Sequence, residues 1–179
     1  MPTPPSIPAA PPPPVRFSDR RRAHQRRHQW LTRLLAVVAL TALVVFWRYR
    51  LVWVVGDSML PTYRTGDLLV VDKRAYQRTA PARDAVVVAR HHDELVVKRV
   101  VGLPGEEIEV RSGRVQVNGV LQAARHEVQL GLLDIAPGRL LADRYAILGD
   151  NRGISPASFI HAVVAPEQIV GPVVLALRR

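Results

Sequence analysis

Apolar residues recur with two different periods along this chain, and the change falls near residue 50. Upstream, fourteen uncharged and mostly apolar residues, LLAVVALTALVVFW, run without interruption from Leu34 to Trp47. Extension back to Trp30 gives eighteen residues, and Arg33 can snorkel to the lipid headgroups, so the pattern predicts one membrane-spanning helix. Downstream, apolar and polar positions alternate with the period of two that is typical of β-strands.

The downstream pattern consists of short, Val-rich segments bounded by Gly, Pro, Asp or Asn, and it predicts an all-β domain. Ser112-Gly113 and Asn118-Gly119 are signals for tight hairpin turns. No helix longer than a turn or two is expected beyond the membrane anchor. The predicted strands are Leu51 to Val55, Asp67 to Asp72, Asp84 to Arg90, Glu94 to Leu103, Glu107 to Val110, Arg114 to Asn118, Tyr145 to Gly149 and Ile169 to Leu177.

The formal net charge of +10 is concentrated before and just after the apolar run. Up to residue 33 the only acid is Asp19, and from Leu51 onward sixteen basic residues face fourteen acidic ones. A nearly neutral body excludes the basic stripe of a nucleic-acid-binding domain, so we expect membrane lipid rather than nucleic acid as a partner. Residues 1–33 contain seven arginines: Arg16, Arg20, Arg21, Arg22, Arg26, Arg27 and Arg33.

This asymmetry also predicts orientation and domain boundaries. Arginines before the span keep the N-terminus in the cytoplasm, so the body is extracytoplasmic in a single-pass protein of the cell membrane. Eight of the 15 prolines lie in the first fourteen residues, which favours disorder. We therefore predict a disordered Pro/Arg-rich head (1–29), a transmembrane anchor (30–49) and a β-rich catalytic domain (50–179).

Two other interpretations of the apolar run are a buried core helix and a cleaved signal peptide. A signal peptide needs small residues at a cleavage site just after the apolar stretch. The chain continues instead with WRYRLVWVV, whose candidate positions carry bulky or charged side chains. We therefore favour an anchor that is not cleaved.

Candidate chemistry rests on Ser58, at a strand-to-turn junction, and Lys98, within LVVKRVV. The structural alternatives are a turn-forming serine and a lysine that snorkels at a sheet edge. Burial among valines instead disfavours the ammonium form and therefore lowers the pKa of the lysine. A decrease of roughly 2.5–3 would make the lysine a general base near neutral pH. A Ser/Lys pair of nucleophile and base is therefore the sharper hypothesis.

Other catalytic chemistries have little support in the sequence. The chain has no cysteine, which excludes a thiol nucleophile and a cysteine-bound metal. The histidines of the body have no serine and acid at informative spacing, so we expect no Ser/His/Asp triad, no metal site and no cofactor. Those histidines are His91, His92, His126 and His161.

Four segments, in this order, resemble type I signal peptidases. They are GDSMLPTYRTGDLLVVDK, VVKRVVGLPGEEIEV with the VQVNG hairpin, YAILGDNR and IVGPVV, and they cover residues 54–174. The resemblance implies a fold of coiled antiparallel β-sheets and a membrane-bound Ser/Lys endopeptidase. It further implies that exported preproteins with Ala-X-Ala-like cleavage sites are the substrates.

The resemblance assigns roles to single residues. Ser58 is implied as nucleophile, Lys98 as general base, and Met59 as a neighbour of the specificity pockets. Gly56 stands where some members have a serine that helps to form the oxyanion hole, so the Ser58 amide is expected to carry more of that function. The GDSM segment looks more like Gram-positive members.

The last motif departs from the family pattern. Ser155 keeps the position that hydrogen-bonds near the lysine, but an acid and an arginine are replaced by Ala157 and Phe159. Because both charges are missing, no lone buried charge remains at these positions. We expect this change to affect catalytic efficiency and substrate range.

Two other functions stay open on the sequence, and a third fits it poorly. A specialised relative that matures one substrate, such as a pilin or a metalloenzyme precursor, is suggested by the SPASF segment and the short stretch from Gly119 to Arg144. A non-catalytic, membrane-tethered β module is disfavoured because Ser58 and Lys98 are both present. A self-cleaving repressor would need a DNA-binding helical domain where this chain has proline, arginine and an apolar span.

Overall fold

The computed structural model describes residues 18–91, 94–153 and 162–178. A single long helix, α1 (Ser18–Arg48), opens the described part. Its segment Trp30–Arg48 has 19 exposed residues and is long and apolar enough to cross a membrane. At about 1.5 Å per residue this segment approaches the roughly 30 Å of a bilayer core.

Helix α1 begins at Ser18, inside the head (1–29) for which the sequence predicts disorder. The prolines of the head end at Pro14, and the following residues are mainly arginine, glutamine, alanine and histidine, which a helix accommodates. The helix therefore continues upstream of the apolar run. Residues 1–17 lie outside the described part of the chain.

Eleven strands follow the helix within the described residues, and every pairing between them is antiparallel. The all-β prediction is thereby confirmed. The strands are β1 (Tyr49–Trp53), β2 (Leu68–Asp72), β3 (Val86–His91), β4 (Glu94–Gly102), β5 (Glu107–Arg111), β6 (Arg114–Val117), β7 (Val120–Leu121), β8 (Ile135–Arg139), β9 (Tyr145–Leu148), β10 (Ala162–Val164) and β11 (Ile169–Leu177).

The strands form two sheets. Seven of them are ordered β1-β2-β11-β3-β4-β9-β10, and four are ordered β7-β6-β5-β8. Strand β11 joins two parts of the larger sheet, because its first half pairs with β3 and its second half with β2. Register shifts within β11 bend the sheet along this strand.

Both predicted hairpin turns are confirmed. Ser112 and Gly113 connect β5 to β6 with φ values of 47° and 73°. Asn118 and Gly119 connect β6 to β7 with φ values of 50° and 75°. A turn with positive φ at both central residues has a backbone twist that matches that of the paired strands, and Asn-Gly adopts this conformation readily.

Strand β9 separates two apolar clusters. Its Tyr145 and Ile147 pack into a cluster with β3 and β4, while Ala146 and Leu148 pack into a cluster with the four-stranded sheet. All four residues are buried. Strand β9 and its neighbour β4 therefore form the rigid centre of the domain.

The sequence pattern missed β7, β8 and β10. Strand β8 contains Pro137 and Gly138, which weaken a strand prediction, but it lies at the edge of the smaller sheet, where proline is tolerated. The other two strands have two and three residues, too few to establish an alternation. Two single turns of 3₁₀ helix, Ala75–Gln77 and Pro166–Gln168, complete the described elements.

Candidate active site

Ser58 lies just beyond β1, where the chain leaves the sheet. Gly56 has φ of +90°, in the region that favours glycine, and its amide donates to Thr65 Oγ1 at 3.0 Å. After this bend, Leu60 N donates to Asp57 O and Tyr63 N donates to Met59 O, forming a compact turn. Ser58 is half-buried at the start of this turn.

Lys98 lies in the middle of β4 and is only 4% exposed. It shares a face of the strand with Val96 and Val100, both buried. Its Nζ is 2.6 Å from Ser58 Oγ. Burial is the main cause that lowers the pKa of Lys98 to about 8, while the nearby Asp150 carboxylate opposes this shift.

The opposite face of β4 carries a buried ion pair. Arg99 donates through Nε to Asp150 Oδ1 at 2.9 Å and through Nη2 to Oδ2 at 2.6 Å. Thr62 Oγ1 donates to the same Oδ2 at 2.5 Å. Because Thr62 belongs to the turn after Ser58, the ion pair ties that turn to β4.

The segment after β9 holds the backbone around Ser58. Asn151 N donates to Ser58 O at 3.0 Å, and Asn151 Nδ2 donates to Asp57 O at 3.1 Å. Gly149 lies so close that a Cβ there would stand 2.4 Å from Ser58 O. Glycine is therefore required at this position by the close approach of two backbones.

Ser58 and Lys98 open into a groove of about 480 Å³. One side is formed by residues 50–55, and the other by residues 94–98 of β4. Among the described strands, β1 pairs only with β2, and residues 94–98 pair only with β3. Both sides of the groove therefore present strand edges. Met59 lines the groove and is 1% exposed.

The structure brings four of the five predicted site residues together: Gly56, Ser58, Met59 and Lys98. Ser155, with Ala157 and Phe159, lies outside the described residues. The GDNR segment carries part of the family resemblance, but the sequence pattern assigns no role to its Asp150 and Asn151. The signal that could have found them is this acid and amide directly after a buried strand.

For Gly56 the structure adds a second reason for glycine. The sequence shows that Gly56 has no side-chain donor for an oxyanion. The φ of +90° at this position favours glycine for backbone reasons alone. A Cβ at this position would meet nothing within 4 Å. The constraint at Gly56 is therefore conformational and not steric crowding by neighbours.

Comparison with known proteins establishes the family. The family model "Signal peptidase, peptidase S26" matches residues 27–177. The chain is 36% identical to signal peptidase I of Bacillus caldolyticus over 176 residues, covering 88% of this chain and 92% of that protein. The chain therefore belongs to the signal peptidase family, peptidase S26, and is a serine peptidase of the hydrolase class.

Two further similarities were found. The chain is 27% identical to probable signal peptidase I-2 of Synechocystis sp. over 172 residues, 88% of this chain and 77% of that protein. The crystal structure of a signal peptidase I from Enterococcus faecalis matches with a TM-score of 0.44 and 23% identity, covering 53% of this chain and 97% of that chain.

Proposed function

We propose that this protein is a membrane-bound type I signal peptidase that removes signal peptides from exported preproteins, with Ser58 as nucleophile and Lys98 as general base. The observation that carries the proposal is the 2.6 Å contact between Lys98 Nζ and Ser58 Oγ. The lysine is 4% exposed, and its pKa is lowered to about 8. A lysine in this state has a substantial neutral fraction near neutral pH, as a general base requires.

The reaction follows from this geometry. Neutral Lys98 accepts the proton of Ser58 as Oγ attacks the scissile carbonyl carbon, and a tetrahedral oxyanion forms. The Lys98 ammonium then protonates the leaving amine, the C–N bond breaks, and an acyl ester on Ser58 remains. Lys98 next takes a proton from water, the resulting hydroxide attacks the ester, and the ammonium returns its proton to Ser58 Oγ.

The oxyanion needs at least one fixed donor. The Ser58 amide makes no hydrogen bond to any other residue in the described part of the chain, so it is available for this role. Gly56 has no side chain to add a second donor. Ser155 keeps its predicted supporting role near Lys98 as a proposal.

Substrate binding is explained by the two strand edges of the groove. An extended peptide can add between them through main-chain hydrogen bonds, so that alternate side chains point into the enzyme. Buried Met59 limits the depth available next to Ser58. Small residues at the first and third positions before the cut, as in Ala-X-Ala, fit such a site.

The proposal also includes attachment to the membrane and an orientation. Trp30–Arg48 is the anchor, the arginines upstream hold the N-terminus in the cytoplasm, and the β-rich domain is extracytoplasmic at the cell membrane. Membrane lipid is the second partner. The GDSM segment supports a Gram-positive-like type with a divergent last motif.

Cleavage of a preprotein tests this function. Detergent-solubilised full-length protein is incubated with a preprotein that contains Ala-X-Ala, and the new N-terminus is identified by mass. We expect one cut directly after the second alanine, tolerance of Gly or Ser in its place, and near-complete loss with Leu or Phe, because overpacking a tight pocket is strongly unfavourable. Preference for a basic, acidic or aromatic residue there would contradict the assignment.

The same experiment separates a general from a dedicated enzyme. A panel of unrelated preproteins should be cut by a general signal peptidase, whereas a specialised relative would cut one member only. The divergent segment around Ala157 and Phe159 is the feature that favours the second outcome. A non-catalytic β module would cut none.

A further inference from the structure

His126 lies beside the catalytic region but outside the groove. It belongs to the segment between β7 and β8, and its side chain is 16% exposed. Its Nε2 is 3.3 Å from Asp150 Oδ1, the carboxylate that pairs with Arg99. Neither ring nitrogen makes a hydrogen bond within the described part of the chain, although both are buried. Buried polar atoms without partners are rare and require an explanation.

Charged groups surround His126 on several sides. Burial and Arg99 of β4 lower its pKa, Asp150 and Asp84 raise it, and Arg152 lowers it again, with a net shift below the ordinary value. The ring is therefore neutral at neutral pH and keeps one N–H to donate. A cavity of about 30 Å³ beside the ring, lined in part by Asp84 and Arg152, leaves it space to turn.

The segment that carries His126 is attached to the backbone that holds Ser58. Gln129 N donates to Asp150 O at 3.0 Å, and Arg152 N donates to Gln129 O at 2.7 Å. Gly131 packs so closely that a Cβ there would stand 2.2 Å from Arg152 O. His126 is thus held next to Asp150 by backbone contacts that do not depend on its own ring.

The Asp150 carboxylate already receives Arg99 on both oxygens and Thr62 on Oδ2. Its Oδ1 has room for one more donor, on the side where His126 Nε2 stands at 3.3 Å. Hydrogen bonds of catalytic sites are often long or misaligned without substrate and tighten when substrate binds. A small rotation of the ring completes this contact.

We propose that His126 is a positioning residue for Ser58: its neutral ring donates Nε2–H to Asp150 Oδ1 when substrate binds, which fixes residues 149–151 against the nucleophile. This inference rests on the proposed function. Because Asn151 N holds Ser58 O at 3.0 Å, a shift of the backbone at residues 150–151 would be passed on to Ser58. His126 does not line the groove, so its loss should affect kcat and not KM.

The test compares His126→Gln, whose amide can donate from about the same place, with His126→Leu, which cannot donate. Full-length protein in detergent is assayed for kcat and KM on a preprotein. We expect the leucine variant to lose about tenfold in kcat, the rate equivalent of one hydrogen bond to a charged group. Its KM should stay within about twofold, and the glutamine variant should keep most of kcat.

His91→Gln makes the same change at the end of β3 and should leave kcat unchanged. Full kcat in the leucine variant, or equal losses in the glutamine and leucine variants, overturns the inference while the proposed function stands. If the leucine variant does not fold, His126→Asn replaces it, because the shorter amide cannot reach Oδ1. If the glutamine variant then has no higher kcat than the asparagine variant, the inference is overturned.

A stability measurement works even without cleavage activity. Because the folded-state pKa of His126 lies below the unfolded value, wild-type stability falls as pH drops below about 6.5. The free energy of unfolding of His126→Gln should fall less between pH 7.5 and pH 5 than that of wild type. Identical falls in the two proteins contradict a neutral ring against Asp150. Failure of wild type to cut any preprotein instead contradicts the proposed function.

Discussion

Two neighbouring cations on β4 have opposite environments. Lys98 is 4% exposed, and its ammonium nitrogen contacts Ser58 Oγ without forming an ion pair in the described part of the chain. Arg99 is 7% exposed and forms two hydrogen bonds to Asp150, which is itself fully buried. The strand therefore carries one buried cation with a carboxylate partner and one without.

Burial has different consequences for the two charges. Desolvation without an acidic partner favours the neutral form, so the pKa of Lys98 falls to about 8, as the proposed role of proton acceptor requires. Arg99 and Asp150 are instead buried together and joined by two hydrogen bonds, so they serve as a fixed brace. The two faces of the strand can therefore be tested separately.

Loss of the dyad has the largest expected effect. Ser58→Ala and Lys98→Met should each reduce preprotein cleavage by roughly a thousandfold or more, because nucleophile and base act as a unit. Single-turnover cleavage measures this loss. The double variant should be no worse than either single one.

Lys98→Arg is the matched control for charge. It keeps the cation but cannot release a proton at usable pH, so it should be as inactive as Lys98→Met. Circular dichroism checks that each variant keeps its β-structure. More than a few per cent of residual activity in Lys98→Met would show that another group is the base.

Removal of the brace should mainly reduce stability. Asp150→Asn leaves Arg99 buried without its counter-charge, which costs about 3–5 kcal/mol in the free energy of unfolding. Urea unfolding of the full-length protein measures this difference. Asp143→Asn is the control, because its pair with Arg144 is exposed and is worth about 0–1 kcal/mol. Equal losses in the free energy of unfolding would contradict the expectation that the buried pair contributes more than the exposed pair.

Lys98→Met should raise the free energy of unfolding at neutral pH, whereas Asp150→Asn should lower it. The pKa of Lys98 is lower in the folded protein than in the unfolded chain, so wild-type stability rises with pH from about 8 to about 10.5 and is lower below that window. At pH 7 the methionine variant should be more stable by on the order of 3 kcal/mol. The difference should shrink as pH rises through the window, and a constant difference would contradict the lowered pKa.

Two glycines near Ser58 should respond differently. Gly149→Ala pushes a methyl group against Ser58 O and should lower kcat by about a hundredfold, since a shift of about 1 Å in the nucleophile is costly. Gly56→Ala meets open space and should cost only about 1 kcal/mol of stability for its φ of +90°. Similar kcat losses in both variants would show that close approach is not what distinguishes them.

Much of the fold followed from local patterns. Strands such as β4 and β11 are rich in apolar, mainly β-branched residues, and the two hairpin turns have side chains that fit positive φ, so these elements are predictable from the sequence alone. Strand β8 has no such pattern, because its Pro137 and exposed residues reflect an edge position that only the assembled sheet defines. The helical start at Ser18 was not predicted, because the prolines that favour disorder end at Pro14 and the arginine-rich residues after them have no apolar periodicity.

Two residues of the candidate site were predictable because each has a side chain that is unusual for its position in the sequence. A lysine among valines and a serine after a strand stand out in the sequence, and they prove to be 2.6 Å apart. The partnership of Arg99 with Asp150 could not be derived, because the residues are 51 positions apart and meet only through the pairing of β4 with β9. The catalytic roles of Ser58 and Lys98 remain predictions.

The most direct test of the account is the pH dependence of single-turnover cleavage of an Ala-X-Ala preprotein by the full-length protein. Only neutral Lys98 can accept the Ser58 proton, so the rate should rise about tenfold per pH unit on the acid side and level off through an apparent pKa of about 8. A rate that is flat from pH 6 to 9, or one that still rises about tenfold per unit between about pH 8.5 and 9.5, as for a lysine with the ordinary pKa of about 10.4, would contradict the proposed Ser/Lys dyad.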